Sequence, residues 1–507
     1  MEHQRLISST ATAGAIQNNK SANQEFSESG IKKGFLIGFI LTVGIGAVNF
    51  GYSIAVMNSL GVDFLAQFFD QVDYPTHLVS YVTTASQVGA AFGSLFSGPF
   101  TRFGKKNGLH VANLILAIGC SLTLVKNIWA VYAGRFLFGL SAGTYSVFVP
   151  SFINELTPTE LKGPFGSATQ FLINFGILAV NLIEIPCTDK DAVYVGGSFI
   201  HDQYWRVCFA IPILFACIQS ILLFTVFNYE TPKYLKQNDK QGPLLEIMGK
   251  LYTPDQVKSR IDSIQVAQEL TDVPSYKDTL CNSKYAIATL IGCSLSCFQQ
   301  LCGINIVMFY SSTIMNTKSV SSNVITAIVG TVNCIAVIPT IWIFKRFGRK
   351  TILYVMSFAI ACSLIGMGLC FLLTFQGSDT LKIIMLMLFI IFFQFSLGPL
   401  LWIYMSEIMT EKGLSIGAGL NWILTVCFAL FTQDIINAFG GSDAADSGKG
   451  TGYLFITCGA ISALCGLFCL LVVKETKGLS DKQVSELYGA KSQSTKKNDN
   501  TSNEFSQ

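Results

Sequence analysis

Residues 91–106 read AFGSLFSGPFTRFGKK, and residues 335–350 read IAVIPTIWIFKRFGRK. Each is an apolar run that ends in a basic turn. The first turn is Arg102-Phe103-Gly104-Lys105-Lys106; the second, Arg346-Phe347-Gly348-Arg349-Lys350, comes 244 residues later. Other pairs follow the same spacing. Glu155 and Glu407, each ending an apolar run, stand 252 residues apart, and Lys162-Gly163 and Lys412-Gly413 stand 250 apart. Glu230-Thr231-Pro232-Lys233 and Glu475-Thr476-Lys477-Gly478 stand 245 apart. Four pairs in one order at nearly one offset mark a duplication.

The duplicated unit is a set of membrane spans. A helix needs roughly 20 apolar residues to cross a bilayer core of about 30 Å. Twelve such segments run near 34–57, 78–97, 109–125, 129–154, 164–184, 207–227, 285–313, 322–344, 351–375, 382–406, 413–437 and 452–473. Their continuous apolar character excludes a β-barrel, whose strands alternate. Composition agrees: 51% of the 507 residues are apolar, 13% are charged and the mean hydropathy is +0.49. A soluble protein carries about 25% charged residues. The net charge of +3 is too small to point to nucleic acid.

The predicted fold class is therefore an all-α membrane protein with twelve transmembrane helices in two pseudo-symmetric six-helix bundles. The expected divisions are a tail, 1–33; a first bundle, 34–227; a polar linker, 228–284; a second bundle, 285–474; and a second tail, 475–507. The segment Pro254–Leu270 has helical apolar spacing, so short intracellular helices are expected in the linker. With both tails inside, only six of the 34 Lys and Arg fall on the outer side: Lys126, Lys190, Arg206, Lys318, Lys382 and Lys449. Arg135 lies within span 4, and the rest are inside. That asymmetry follows the positive-inside rule and predicts cytoplasmic termini. Residues 1–30 lack the apolar core of a cleavable signal peptide. Most of the 15 cysteines sit in apolar spans, and the four His are scattered, so neither a structural disulfide nor a metal site is expected.

Charges and amides mark the candidate functional residues. Cations of the two basic turns face the anionic leaflet and stand within reach of the acids that end spans 4 and 10. Arg102 is expected to pair with Glu155, and Arg346 with Glu407. Burying an amide in hydrocarbon is costly unless it is bonded or faces water. Yet Gln170 and Asn174 fall in span 5, Gln299, Gln300 and Asn305 in span 7, Asn333 in span 8, Gln394 in span 10 and Asn421 in span 11. Amides donate and accept, which suits a neutral polyhydroxyl ligand, and Trp402 and Trp422 offer faces for the apolar side of a sugar ring. The competing role for such amides is bonding between helices. Gly303 in span 7 and Gly398-Pro399 in span 10 weaken those helices, as in the gates of two-repeat carriers. No acid or His falls mid-span, which argues for downhill transport. No Gly-Lys-Ser/Thr phosphate loop is present for ATP hydrolysis.

The chain resembles the sugar porter family of the major facilitator superfamily, most closely its facilitative glucose transporters, over residues 34–480. The matching elements are Gly134-Arg135-Phe136, Pro150 to Glu155 with Pro158 and Lys162-Gly163, Trp205-Arg206, Glu230-Thr231-Pro232-Lys233, Gln299-Gln300-Leu301-Cys302-Gly303-Ile304-Asn305, Asn421-Trp422 and Glu475-Thr476-Lys477-Gly478. The resemblance implies the major facilitator fold. It implies hexose contacts at Gln170, Gln299, Gln300, Asn305, Asn333, Gln394, Trp402 and Asn421. It also implies a gating network at Arg102, Arg135, Glu155, Lys162, Glu230, Arg346, Arg349, Glu407 and Glu475. Ser53 stands where the family's proton symporters carry Asp, and Trp402 favours an aldohexose such as glucose. Thr101 and Lys345 replace the acids that usually precede the basic turns. The expected function is hexose uniport by alternating access, with no cofactor, no enzymatic activity and no nucleic acid. The implied partners are a sugar and the lipid bilayer, and the protein is expected as a monomer in the plasma membrane. The rivals are proton-coupled symport, transport of another polyol or pentose, and a non-transporting sugar sensor.

Overall fold

The computed structural model describes residues 30–69, 77–158, 161, 165–184, 203–269, 275–308, 322–373, 375–440, 444–479 and 481–488. A helix stands at each of the twelve predicted spans. Spans 1 to 6 are Lys33–Phe69, His77–Phe100, Lys105–Thr123, Ile128–Leu156, Ala168–Ile183 and Tyr204–Thr225. Spans 7 and 8 begin with Ser283–Leu301 and Ser322–Ala336, and span 8 resumes as Thr340–Arg346. Span 9 is Arg349–Leu372, span 10 is Ser378–Phe395 with Pro399–Ile408, span 11 is Glu411–Gly440 and span 12 is Ala444–Leu471. Among the described residues, nine helices are long and apolar enough to cross a bilayer by themselves. Spans 2, 3 and 5 carry more polar or fewer residues.

Each six-span unit buries its own apolar core. One is built around Phe39, Tyr52, Phe138, Phe148 and Phe152, the other around Phe344, Leu353, Phe389 and Tyr404. In hydrocarbon, burial of apolar surface does not hold helices together; close backbone approach does. Spans 2 and 4 show it. A Cβ on Gly89 or Gly93 would lie 2.1 Å from the Phe136 or Leu140 carbonyl oxygen of span 4. A Cβ on Gly139 or Gly143 would lie 1.8 or 2.0 Å from the Ser86 or Ala90 oxygen of span 2. The two helices interlock through small residues from both sides. The lobes meet where span 2 packs on span 11 and span 5 on span 8.

Short helices occupy the linker: Pro232–Gln237, Gln241–Leu251, Pro254–Glu269 and Tyr276–Cys281. The segment before span 1 is tied to them. Lys32 N donates to the Leu251 carbonyl at 2.8 Å, Thr253 N to that of Gly30 at 2.9 Å, and Ile31 and Tyr252 form an antiparallel bridge. The start of span 1, the turns after spans 2, 4, 8 and 10, and the linker thus share one face, called here the linker face.

The duplicated turns are built alike. Glu230, after span 6, accepts from the backbone N–H groups of Lys105 at 3.1 Å and Lys106 at 2.9 Å. Glu475, after span 12, accepts from those of Arg349 at 2.8 Å and Lys350 at 3.2 Å. Each carboxylate satisfies orphan amides at a helix N-terminus and meets the positive end of its dipole. The turn glycine makes room for it. A Cβ on Gly104 would fall 2.3 Å from Glu230 Oε1, and one on Gly348 2.1 Å from Glu475 Oε2. Gly104 also has φ of 94°, whereas Gly348 has φ of −73°. Gly104→Ala should therefore destabilise more than Gly348→Ala, by about 1–3 kcal/mol for the added left-handed strain. Thermal unfolding of the two purified variants in detergent measures the difference. Equal losses would mean that only the carboxylate clash matters.

Candidate functional site

The predicted breaks in spans 7 and 10 are present, and Gln299, four residues before Gly303, bonds to the break of span 10. Gly303 adopts φ of 83°, where span 7 stops at Leu301 and turns again into 304–308. Span 10 breaks at Ser396–Gly398, so the carbonyl of Leu397 leaves the helical ladder. Such a carbonyl must find another donor in a dry interior. It finds Gln299 Nε2 on span 7, at 2.6 Å.

From that bond a chain of amides extends. Asn421 of span 11 donates to Gln299 Oε1 at 2.7 Å and accepts from Gln300 Nε2 at 2.6 Å. Asn305 donates to Gln300 Oε1 and, at 3.3 Å, to the Thr425 hydroxyl. A second group forms on spans 8 and 10, where Gln394 Nε2 donates to Asn333 Oδ1 at 2.6 Å. Gln394 Oε1 is buried and, among the described residues, has no hydrogen-bond partner. The first lobe joins through span 5: Asn174 Nδ2 donates to the Asn333 carbonyl at 2.9 Å, and Gln170 donates to Asn174 at 3.1 Å. Gln299, Gln300, Asn333, Gln394 and Asn421 are buried, while Gln170 and Asn305 are half-buried. In this conformation the amides satisfy one another rather than facing an open crevice. Trp402 lies where both cores meet, half-buried and packed against each. Trp422, next to Asn421, crosses the seam: its ring is 5.4 Å from that of Phe50 and its Nε1 donates to Ser146 Oγ at 3.3 Å.

The charges on the linker face pair differently from expectation. Glu155 is held by Lys105 at 2.6 Å and by Lys233 at 3.6 Å, not by Arg102. Glu407 is held by Arg349 at 3.3 Å and by the Thr476 hydroxyl at 2.6 Å, not by Arg346. In both lobes the fourth residue of the basic turn makes the pair, because it opens the next helix and points back over it. The first residue precedes that helix and points outward. Lys105, Lys233 and Glu411 were missed as network members; Glu411 stands four residues after Glu407, but across the break between spans 10 and 11. Glu411 opens span 11 and reaches Lys233 of the linker at 2.9 Å and Lys105 of the first lobe at 3.8 Å. These bonds tie the first lobe to the second and close the linker face. Burial alone would lower the Lys233 ammonium, but Glu411 and Glu155 outweigh it and raise it above the ordinary lysine range. A raised lysine contributes fully below its ordinary value and is lost only as pH rises through the raised one. The tie is therefore intact at every physiological pH. Burial raises Glu230, partly offset by the amides of Asn107 and Lys106.

Arg135 does not belong to that network. It lies in the opposite half of span 4, fully buried, with Nη2 3.4 Å from the Ser53 carbonyl and its guanidinium over the Phe138 ring. Glu184, buried at the end of span 5, is within electrostatic range of it. Its place at the end of an apolar run does not show how completely it is enclosed. Lys162 lies outside the described residues.

Comparison with known proteins fits this architecture. A family model described as "Sugar (and other) transporter" matches residues 39–488. "Hexose transporter 1" of Toxoplasma gondii is 26% identical over 476 residues, covering 87% of this chain and 80% of that protein. The Rattus norvegicus "Solute carrier family 2, facilitated glucose transporter member 3" is 27% identical over 489 residues, covering 90% and 94%. Among solved structures, the proton:xylose symporter XylE bound to 6-bromo-6-deoxy-D-glucose superposes with a TM-score of 0.74 at 23% identity. It covers 90% of this chain and 99% of that one.

The two kinds of ion pair should differ in what their loss costs. Glu155→Gln strips the carboxylate from a buried ammonium, that of Lys105, and should cost about 3 kcal/mol or more. Glu411→Gln breaks a half-exposed pair and should cost about 1 kcal/mol. Thermal unfolding in detergent at low salt ranks them, and the reverse order would contradict these burials.

Proposed function

Since the chain belongs to the sugar transporter family, and is thus a membrane transporter rather than an enzyme, we propose that it carries a hexose, with glucose the best fit, by downhill uniport. The observation that carries this reading is the two groups of amides around the breaks of spans 7 and 10, the second of which, Gln394 with Asn333, is bonded to span 5 of the other lobe. A sugar hydroxyl donates and accepts as an amide does. Each amide–amide bond can therefore be exchanged for an amide–hydroxyl bond at little net cost. Gln394 Oε1 supplies a buried acceptor still to be used, and Trp402 supplies an aromatic face at the lobe seam. Gln170, Gln299, Gln300, Asn305, Asn333, Gln394, Trp402 and Asn421 form the proposed sugar site.

The proposed cycle alternates two closures. The ties from Lys105 and Lys233 to Glu411 hold the linker face shut while the sugar enters from the other side. Their release lets the lobes part at that face. We take the linker face as cytoplasmic, from the distribution of Lys and Arg, and the membrane as the plasma membrane. The named relatives that carry hexose support the substrate class by likeness alone.

A second reading, proton-coupled symport, has one observation in its favour: the buried Glu184, within electrostatic range of the buried Arg135. Purified protein in sealed vesicles decides between them. Under uniport, an imposed pH gradient leaves the final glucose level equal on both sides. Accumulation above equality that vanishes in Glu184→Gln would establish symport instead. In the same vesicles, Gln170→Ala and Asn305→Ala should each cut uptake about tenfold or more, the loss of one or two hydrogen bonds. Normal uptake by both would remove the site assignment.

A further inference from the structure

The two arginines left out of the gate raise the question of what they meet. Arg346 ends span 8 and is exposed, its guanidinium 5.2 Å from the centre of the Trp342 ring. No described carboxylate takes it. Glu407 is bonded to Arg349 and Thr476, and Glu475 to the backbone of residues 349 and 350. Lys345 beside it is exposed as well, and the Lys477 ammonium sits 2.6 Å from the Lys345 carbonyl. Three cations thus stand near one helix end, and Glu475 beside them is taken up by backbone N–H groups, that of Lys477 at 2.9 Å included.

What lies behind the cations limits the occupant. Ile338, Ile341 and Trp342 are exposed by 53%, 41% and 58%. Ile341, Trp342, Lys345 and Arg346 share one outward face of the helix Thr340–Arg346, and the exposed Ile338 lies in the turn just before it. This face is apolar within the span and cationic at its end. Water would not cover the apolar part, and a soluble anion would not need it. An acidic peptide would have to lie inside the acyl layer. The ligand that fits is amphiphilic, with an anionic head directly over a hydrocarbon chain. The duplication repeats the pattern at the end of span 2, where Phe96, Phe100 and Phe103 are exposed and Arg102 lies 4.8 Å from the Phe103 ring centre. That copy has Thr101 where the other has Lys345 and Pro232 where the other has Lys477, so it offers two cations fewer.

We propose that the end of span 8 is a binding site for an anionic phospholipid of the linker-face leaflet, its phosphodiester held by Lys345, Arg346 and Lys477 and its acyl chain laid along Ile338, Ile341 and Trp342. Aromatic residues at helix ends anchor at the headgroup level, and cations there attract anionic lipid over a Debye length. The site is separate from the amide chain and does not depend on which sugar is carried.

Trp342 reports on the site directly. The full-length protein is placed in mixed phosphatidylserine and phosphatidylcholine vesicles, with the quenching bromine on the acyl chain of one lipid or the other. Bromine on phosphatidylserine should quench tryptophan fluorescence more strongly than bromine on phosphatidylcholine at equal mole fraction. The excess should disappear in Trp342→Phe, shrink at high salt, and fall to the phosphatidylcholine level in the double variant Lys345→Gln, Arg346→Gln. Far-UV circular dichroism checks that the variants are folded, and Arg346→Lys should restore part of the excess. Inorganic phosphate added to the vesicles should leave the quenching unchanged; full displacement by phosphate would identify a free-anion site and overturn the lipid. Equal quenching by the two lipids in the unmodified protein would overturn the proposal, as would an undiminished excess in the double variant.

Discussion

A polar group inside a bilayer must find a partner within the protein. That constraint organises the centre of this molecule. Breaking span 10 at Ser396–Gly398 releases the Leu397 carbonyl, and Gln299 answers it. Gln299 is then committed at one end, and Asn421 meets its other end. Asn421 in turn engages Gln300, and Gln300 engages Asn305 beside the Gly303 break. The amides and the helix breaks therefore support one another. A broken helix without the amides would leave bare carbonyls, and amides without the break would have fewer acceptors.

The charged face follows a different rule, because water competes there. Exposed ion pairs contribute little, so geometry and burial decide which pairs matter. The most buried contact, Lys105 with Glu155, lies within the first lobe. The contacts that cross the lobes end on Glu411, which is about half exposed. This ordering suits a carrier whose lobes must separate without coming apart internally. The strong bonds hold each lobe, and the weaker ones hold the lobes to each other.

Much of this could be read from the residues. Twelve apolar runs, four repeated elements and the glycines at two breaks located the spans, their duplication and the weak points of spans 7 and 10. The choice of partners could not be read. Arg102 and Lys105 are both cations in one short turn, and only the helix that starts at Lys105 decides which of them turns toward Glu155. The same geometry separates Arg346 from Arg349. The amides were visible as residues out of place in hydrocarbon. Their pairing with one another was not, because it depends on where a broken helix presents its free carbonyl. Glu184 sits at the end of an apolar run, and nothing in the local sequence shows that neighbouring spans enclose it.

The closed amide chain bears on how a neutral ligand can be both held and released. If the amides faced empty apolar space, their unmet bonds would bind any hydroxyl tightly and let it go slowly. Because they are already paired, sugar binding at the proposed site would exchange one hydrogen bond for another of similar strength. The net gain would come from the few groups still unmet, such as Gln394 Oε1, and from the aromatic surface at the seam. The proposed downhill transport would need such modest affinity, since a substrate bound deeply in either orientation would stall the exchange of lobes. Mutual pairing of the amides thus limits binding strength in the same step that keeps the broken helices stable.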